Sequence, residues 1–169
     1  MNSRIKDIVE ILDLEPHPEG GYYKETYRSE GVINKSALGE SYSGNRNYST
    51  CIYFLLTSDN FSAFHRIIQD EIWHFYKGTT ITLHTISPEG KYQKIYIGDE
   101  LSRGEVPQYV VPGGYWFAAE IEEKNTYALV GCTVSPGFSF EDFEMIPRQD
   151  LITLFPQHTE LINRLTNKP

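Results

Sequence analysis

The chain lacks most of what would place it on nucleic acid, across a membrane or in a disulfide scaffold. It has no run of lysines and arginines, and 15 basic residues stand against 23 acidic ones for a net charge of −8. That balance speaks against a nucleic-acid surface. No apolar stretch approaches the ~18 residues needed to span a bilayer. The opening Met-Asn-Ser-Arg-Ile-Lys-Asp-Ile-Val-Glu carries charges where a signal peptide needs an apolar core. Cysteine is scarce: Cys51 and Cys132 both lie in strand-like apolar runs and read as buried free thiols, not as a disulfide. Repeats, low-complexity tracts and interdomain linkers are missing too. The expectation is one cytoplasmic, soluble domain over residues 1–169, with neither nucleic acid nor membrane as partner.

What the chain has is β structure. Short apolar and aromatic runs, separated by Gly, Pro and Asn, predict strands at Tyr22–Tyr27, Ser49–Leu55, Ala63–Ile67, Ile72–Tyr76, Thr80–Ile86, Tyr92–Ile97, Gln108–Val111, Trp116–Ala119 and Ala128–Val134. Strands this short and evenly spaced indicate a mainly β, antiparallel sandwich or barrel. Ile5, Ile8, Val9 and Leu12 recur at helical spacing, predicting a helix from Ser3, a possible cap, to Leu12. A second helix is expected over Gln157–Leu165, and a helical turn over Arg148–Leu154. The barrel core then spans about 20–145 and the C-terminal helical segment about 148–166.

The densest chemistry lies between Phe64 and Gly78. Alternation along strands puts His65 on one face of its strand, and Glu71, Trp73 and Phe75 on one face of the next. If the turn between them makes these strands neighbours, His65 and Glu71 both point into the barrel. An imidazole and a carboxylate walled by Trp73 and Phe75 would sit in low dielectric, where pKa values move and proton transfer becomes practicable. The alternative is a buried pair that only satisfies its own polarity. Other stretches also carry two readings. Gly20 to Arg28, with Tyr23 and Glu25, is either a strand reaching a partner's pocket or simply a good strand. Residues 30–48 either cover the barrel mouth or form a surface loop. Pro136 to Glu144 reads as a structural corner with solvated carboxylates.

These residues carry a resemblance. His65, Glu71 and Gly78 are similar to the first motif of the cupins, and Val111-Pro112-Gly113-Gly114-Tyr115-Trp116 to the second. Pro16-His17-Pro18-Glu19-Gly20-Gly21-Tyr22-Tyr23, Asp70-Glu71-Ile72-Trp73-His74 and Ser135-Pro136-Gly137-Phe138 resemble one cupin subfamily, long catalogued as a domain of unknown function and placed near the sugar-nucleotide epimerase type. The resemblance runs from about Leu12 to Leu165. It implies a double-stranded antiparallel jelly-roll barrel with short N- and C-terminal helices, assembled as a homodimer. Metal-binding cupins supply three histidines and a glutamate. Here His65 and Glu71 match two of these positions, while the other two hold Ile67 and Phe117. No metal or other cofactor is expected; a metal, if bound, would sit on His65 and Glu71.

The epimerase-type cupins work without metal, and the resemblance implies His65 as base, with Glu71 beside it. Tyr23, Glu25, Trp73, Phe75 and Trp116 are the expected ligand contacts. The partner is a small molecule. The protein is then a metal-independent isomerase or epimerase-like enzyme on a sugar-derived or carbonyl ligand, a non-catalytic small-molecule binding or sensing protein, or a metal-dependent cupin.

Overall fold

The computed structural model of the chain describes residues 3–167; Met1, Asn2, Lys168 and Pro169, which the expected domain includes, lie outside them. After helix α1 (Ser3–Ile11) come twelve strands: β1 (Glu15–Pro16), β2 (Tyr22–Arg28), β3 (Val32–Ile33), β4 (Arg46–Asn47), β5 (Thr50–Thr57), β6 (Phe61–His65), β7 (Asp70–Gly78), β8 (Ile81–Ile86), β9 (Tyr92–Ile97), β10 (Gln108–Val111), β11 (Trp116–Glu120) and β12 (Tyr127–Ser135). Helices α2 (Arg148–Leu154) and α3 (Thr159–Arg164) follow. Ser3 is already helical, and the expected second helix divides into a 3-10 turn over Pro156–His158 and α3.

A six-stranded sheet, ordered β1-β2-β5-β12-β7-β10, faces a four-stranded sheet ordered β6-β11-β8-β9, and β3 and β4 form a small hairpin apart from both. All strand pairs are antiparallel. This is the expected jelly-roll architecture, in which facing sheets share one interior. Phe54, Trp73 and Val130 from the larger sheet pack there against Leu83, Ile97 and Phe117 from the smaller. Burying each such side chain contributes about 1.5–3 kcal/mol.

The outer faces are covered as well. Alternation sends Phe64, Ile86, Trp116 and Ala118 to the far side of the smaller sheet, where Leu151, Phe155, Ile162 and Leu165 of the C-terminal segment seal them. On the larger sheet, α1 lays Ile5 over Leu55 and Tyr127, with Ile8 and Val9 alongside. Gly78 ends β7 at φ +117°, and a Cβ there would lie 2.1 Å from the Tyr127 carbonyl oxygen. Only glycine allows that close approach of backbones. None of the described helices is long and apolar enough to cross a membrane. Both cysteines are free, Cys132 buried and Cys51 half-buried.

Strand order corrects one expectation. β6 and β7 are consecutive in sequence but are not neighbours; they lie in opposite sheets. The chain crosses the barrel between His65 and Asp70, as a jelly roll requires. His65 and Glu71 therefore come from facing walls.

Candidate functional site

Between the sheets, at the end where β6 and β7 are joined, lies a cavity of about 640 Å³. His65, Glu71 and Trp73 line it, as do Tyr23 and Glu25 of β2 from the same chain. Asn45, Arg46 and Asn47 bring residues 30–48 to its wall, and Phe138, Phe140 and Phe143 bring the segment after β12. Two expected contacts lie elsewhere. Phe75 packs into the apolar interior, outside the cavity lining. Trp116 faces the opposite side of its sheet, among Leu151 and Ile162, with the Arg66 guanidinium over its ring. The cause is parity: Phe117, not Trp116, shares the inward register of β11 with His65.

The main addition is Glu19. It lies in the Pro-His-Pro-Glu-Gly-Gly turn before β2, and the turn is clamped to β6: Ala63 N–H donates to the Glu19 carbonyl at 2.8 Å. Gly20 makes this possible, with φ +116° and no room for a Cβ, which would sit 2.0 Å from the Phe61 carbonyl oxygen. Glu19 is delivered into the interior, 6 % exposed. Its Oε1 accepts the Ser62 hydroxyl at 2.8 Å, and its Oε2 lies 3.0 Å from His65 Nε2.

His65 is consequently fully engaged. Nδ1–H donates to the Ala63 carbonyl at 2.7 Å and Nε2–H to Glu19. With an acceptor at each nitrogen, the ring carries both protons as an imidazolium. Burial opposes that charge, but the carboxylate and hydrogen bond of Glu19 outweigh it and raise the His65 pKa. Burial likewise opposes the Glu19 carboxylate, and the His65 charge together with the hydrogen bonds from His65 and Ser62 holds its pKa down. The His65 ring packs against Phe117 at 4.1 Å and Phe143 at 5.3 Å between centroids. His17 differs. Burial lowers its pKa, so it is neutral and Nδ1 accepts the Glu19 N–H at 3.3 Å; the nearby Glu19 Oε2, 3.4 Å away, then counts as proximity, not an ion pair.

Glu71 is the unusual carboxyl. It has no ion-pair partner of its own among the described residues, and it is half-buried in the cavity lining. Burial first, and then the Glu19 charge, push its pKa to about 7, against weaker opposing pulls from His65, the Cys132 thiol and the Trp73 indole. The Trp73 Nε1 is buried close to Glu71 but makes no well-formed hydrogen bond. Burial and Glu71 in turn push the Cys132 thiol well up, so it stays protonated.

The walls carry ion pairs of their own. Arg46 makes a two-pronged pair with Asp142 at 2.7 and 2.6 Å, and Gln69 Nε2 also donates to Asp142 at 2.7 Å. Asp142 is thus buried and paired, which corrects the expectation of a solvated carboxylate. Glu144 is also paired, with Arg66, and Glu141, though exposed, lies 3.2 Å from Arg46.

The donor set does not fit the metal found in many cupins. Ile67 and Phe117 offer no lone pair, and both His65 nitrogens are hydrogen-bonded. No group of three or more His, Cys, Asp or Glu among the described residues could hold an ion, whereas a tight transition-metal site ordinarily takes three or more protein ligands.

Comparison with known proteins agrees with this architecture. The curated "Uncharacterized protein YML079W" of Saccharomyces cerevisiae is 34 % identical over 157 residues, covering 88 % of this chain and 78 % of that one. Protein SO0799 from Shewanella oneidensis superposes with a TM-score of 0.88 at 38 % identity, covering 100 % of this chain and 99 % of the other. A hypothetical protein from Leishmania major gives 0.87 at 34 % identity, covering 96 % and 98 %. Oxalate decarboxylase from Bacillus subtilis is similar in fold alone, at 15 % identity and a TM-score of 0.56, with 93 % of this chain and 38 % of that one covered. The family model described as Cupin superfamily (DUF985) matches residues 6–146. With most of its length matched, the chain belongs to the cupin superfamily, in the group designated DUF985.

Proposed function

We propose that the protein binds a small organic molecule in this cavity and moves a proton on it, with Glu71 taking up and returning that proton. One observation carries the reading. Glu71 is a cavity-facing carboxyl with no ion-pair partner, beside a Glu19–His65 pair whose hydrogen bonds are already complete. A general acid–base works best when its pKa lies near the ambient pH, and about 7 meets that condition. The basic role expected of His65 passes to Glu71, since an imidazolium with both nitrogens engaged cannot accept a proton. His65 becomes a positioning residue that keeps Glu19 ionised, and Glu19 in turn tunes Glu71.

The reaction class that needs only these parts is proton abstraction beside a carbonyl and its return, an isomerisation or epimerisation without redox change. Tyr23, whose pKa burial and Glu15 raise, stays protonated at neutral pH and is the candidate donor. Incubation with ring ketones, lactones and reducing sugars in D2O tests this by NMR. Deuterium should enter at the carbon beside the carbonyl of a bound compound, and Glu71→Gln should slow that by about 100-fold or more. Exchange that persists unchanged in the Gln variant would remove Glu71 from the role. The completeness of the His65 hydrogen bonds also favours a second reading, a binding protein without chemistry, which predicts saturable binding and no exchange.

A further inference from the structure

We infer that the cavity takes an uncharged, non-phosphorylated ring compound and rejects phosphorylated ones; this rests on the reading of the cavity as a binding site. The cations of the cavity are already committed. A site for a nucleoside diphosphate or sugar phosphate needs guanidinium or ammonium donors left free for phosphate oxygens. Among the described residues the cavity has two arginines and no lysine in its walls, and both arginines are already matched. Arg28 Nε and Nη2 fork onto Glu25 at 2.9 and 2.7 Å, Nη1 donates to Asn47 Oδ1 at 2.9 Å, and Nη2 also reaches the Phe138 carbonyl at 3.1 Å. Arg46 is forked onto Asp142, with Nη1 on the Asn45 carbonyl at 2.7 Å. The remaining cation, His65, is spent on Glu19.

Beyond these pairs the cavity still has Glu15 and Glu71 in its lining, and Glu141 occupies Arg46 further, 3.2 Å from its Nη2. A phosphate entering here would give up its water without gaining a cation, which is a large cost. Much of the remaining wall is aromatic. Tyr23, Phe54, Phe140 and Phe143 surround the His17 ring at 4.6 to 6.1 Å between centroids. Planar faces with a few polar groups among them suit a flat or puckered uncharged ring. A ligand amine finds most cavity carboxylates already matched, Glu19 by His65, Glu25 by Arg28 and Glu141 by Arg46, while Glu71 holds its proton to about 7.

The test is ligand-observed NMR on the whole chain, using matched triplets of one ring compound bearing a hydroxyl, a phosphate or an amine, such as glucose, glucose 6-phosphate and glucosamine, together with matched lactones and ring ketones. Hits are expected among the uncharged members, with their phosphorylated counterparts at least tenfold weaker. Glu25→Gln releases Arg28 and should bring phosphorylated members within threefold of their uncharged counterparts. Pyrophosphate is the second probe: it should show no saturable binding to the wild-type protein and measurable binding to the Glu25→Gln variant. Phosphorylated compounds or pyrophosphate binding the wild type as well as uncharged rings would overturn the inference, as would tighter binding of the amines. Uncharged hits without deuterium exchange would uphold this ligand class while overturning proton transfer; exchange on a phosphorylated hit would do the reverse.

Discussion

Among the described residues, two buried histidines each pair with a carboxylate at the same distance, one inside the barrel and one outside it. His65 Nε2 lies 3.0 Å from Glu19, and His84 Nε2 lies 3.0 Å from Glu120; both imidazoles are 2 % exposed. Their surroundings differ. On the outer face of the smaller sheet, Arg164 of α3 also pairs with Glu120 and the Tyr92 hydroxyl is 2.9 Å from His84 Nδ1. With His84 and Arg164 both bonded to it, Glu120 falls to about 2. That cluster ties the C-terminal helix to the sheet. Inside the barrel no arginine reaches Glu19, and the third group is another carboxyl. Burial, and after it the neighbouring Glu19 charge, keep a proton on Glu71 to about 7. A buried histidine–carboxylate pair is thus no mark of a site; a second carboxyl with no ion-pair partner beside it is.

Four outcomes follow from this contrast and test it. The largest effect is on chemistry: Glu71→Gln should cost about 100-fold or more in exchange, while Glu120→Gln should leave exchange within twofold of wild type. Next is stability at the inner pair. Glu19→Gln leaves a buried imidazolium without its carboxylate, a loss of about 3 kcal/mol readable by urea denaturation, and it should lower the Glu71 pKa by removing the neighbouring charge. Third, Glu71→Gln should stabilise the fold above pH 7 by roughly 3 kcal/mol, because a carboxyl held at about 7 instead of 4.5 opposes folding when ionised. The smallest effect is Glu120→Gln on stability, about 1–2 kcal/mol destabilising for a partly exposed group that His84 and Arg164 hold.

The pH dependence of stability has a sign for each group. The Glu71 pKa is raised, so stability falls as pH climbs from 4.5 through 7. His65 is raised as well: its contribution is complete below 6.5 and is lost as pH rises through its folded value. Glu19 and Glu120 are lowered, so their contributions are lost as pH drops below 4.5 and through their folded values. The thermal midpoint should therefore peak between about pH 4.5 and 6.5 and fall on both sides. In Glu71→Gln the alkaline fall should be shallower; a midpoint that climbs steadily to pH 8 would contradict these assignments.

The strand pattern of the chain was legible. All nine predicted strands exist, Tyr92–Ile97 and Gln108–Val111 with the same bounds, because apolar alternation and Gly or Pro turns are local signals. The two-residue strands β1, β3 and β4 were missed, being too short to show any period. His65, Glu71 and Trp73 could be placed on inward faces by parity within a strand. Phe75 could not be excluded, since parity says which face a residue takes but not how far along the barrel it lies; Trp116 could be excluded only once the pairing of Phe117 with His65 fixed which face of β11 points inward. Glu19 was hidden for a different reason. Its contact with His65 joins residues 46 apart, and the only local sign was a carboxylate set directly before Gly20-Gly21, two glycines that allow a turn to press against a neighbouring strand. Asp142 read as solvated because its partner, Arg46, is 96 residues away.

On the proposed reading Glu71, not His65, holds the mobile proton at neutral pH. Its most direct measurement is a side-chain carboxyl titration by 13C NMR, with Glu71 assigned by comparing the wild-type protein with Glu71→Gln. The account predicts a midpoint near 7 that moves down in Glu19→Gln, with the His65 ring remaining doubly protonated through neutral pH. A Glu71 midpoint near 4.5 with a neutral His65 would contradict it and return the base to the histidine.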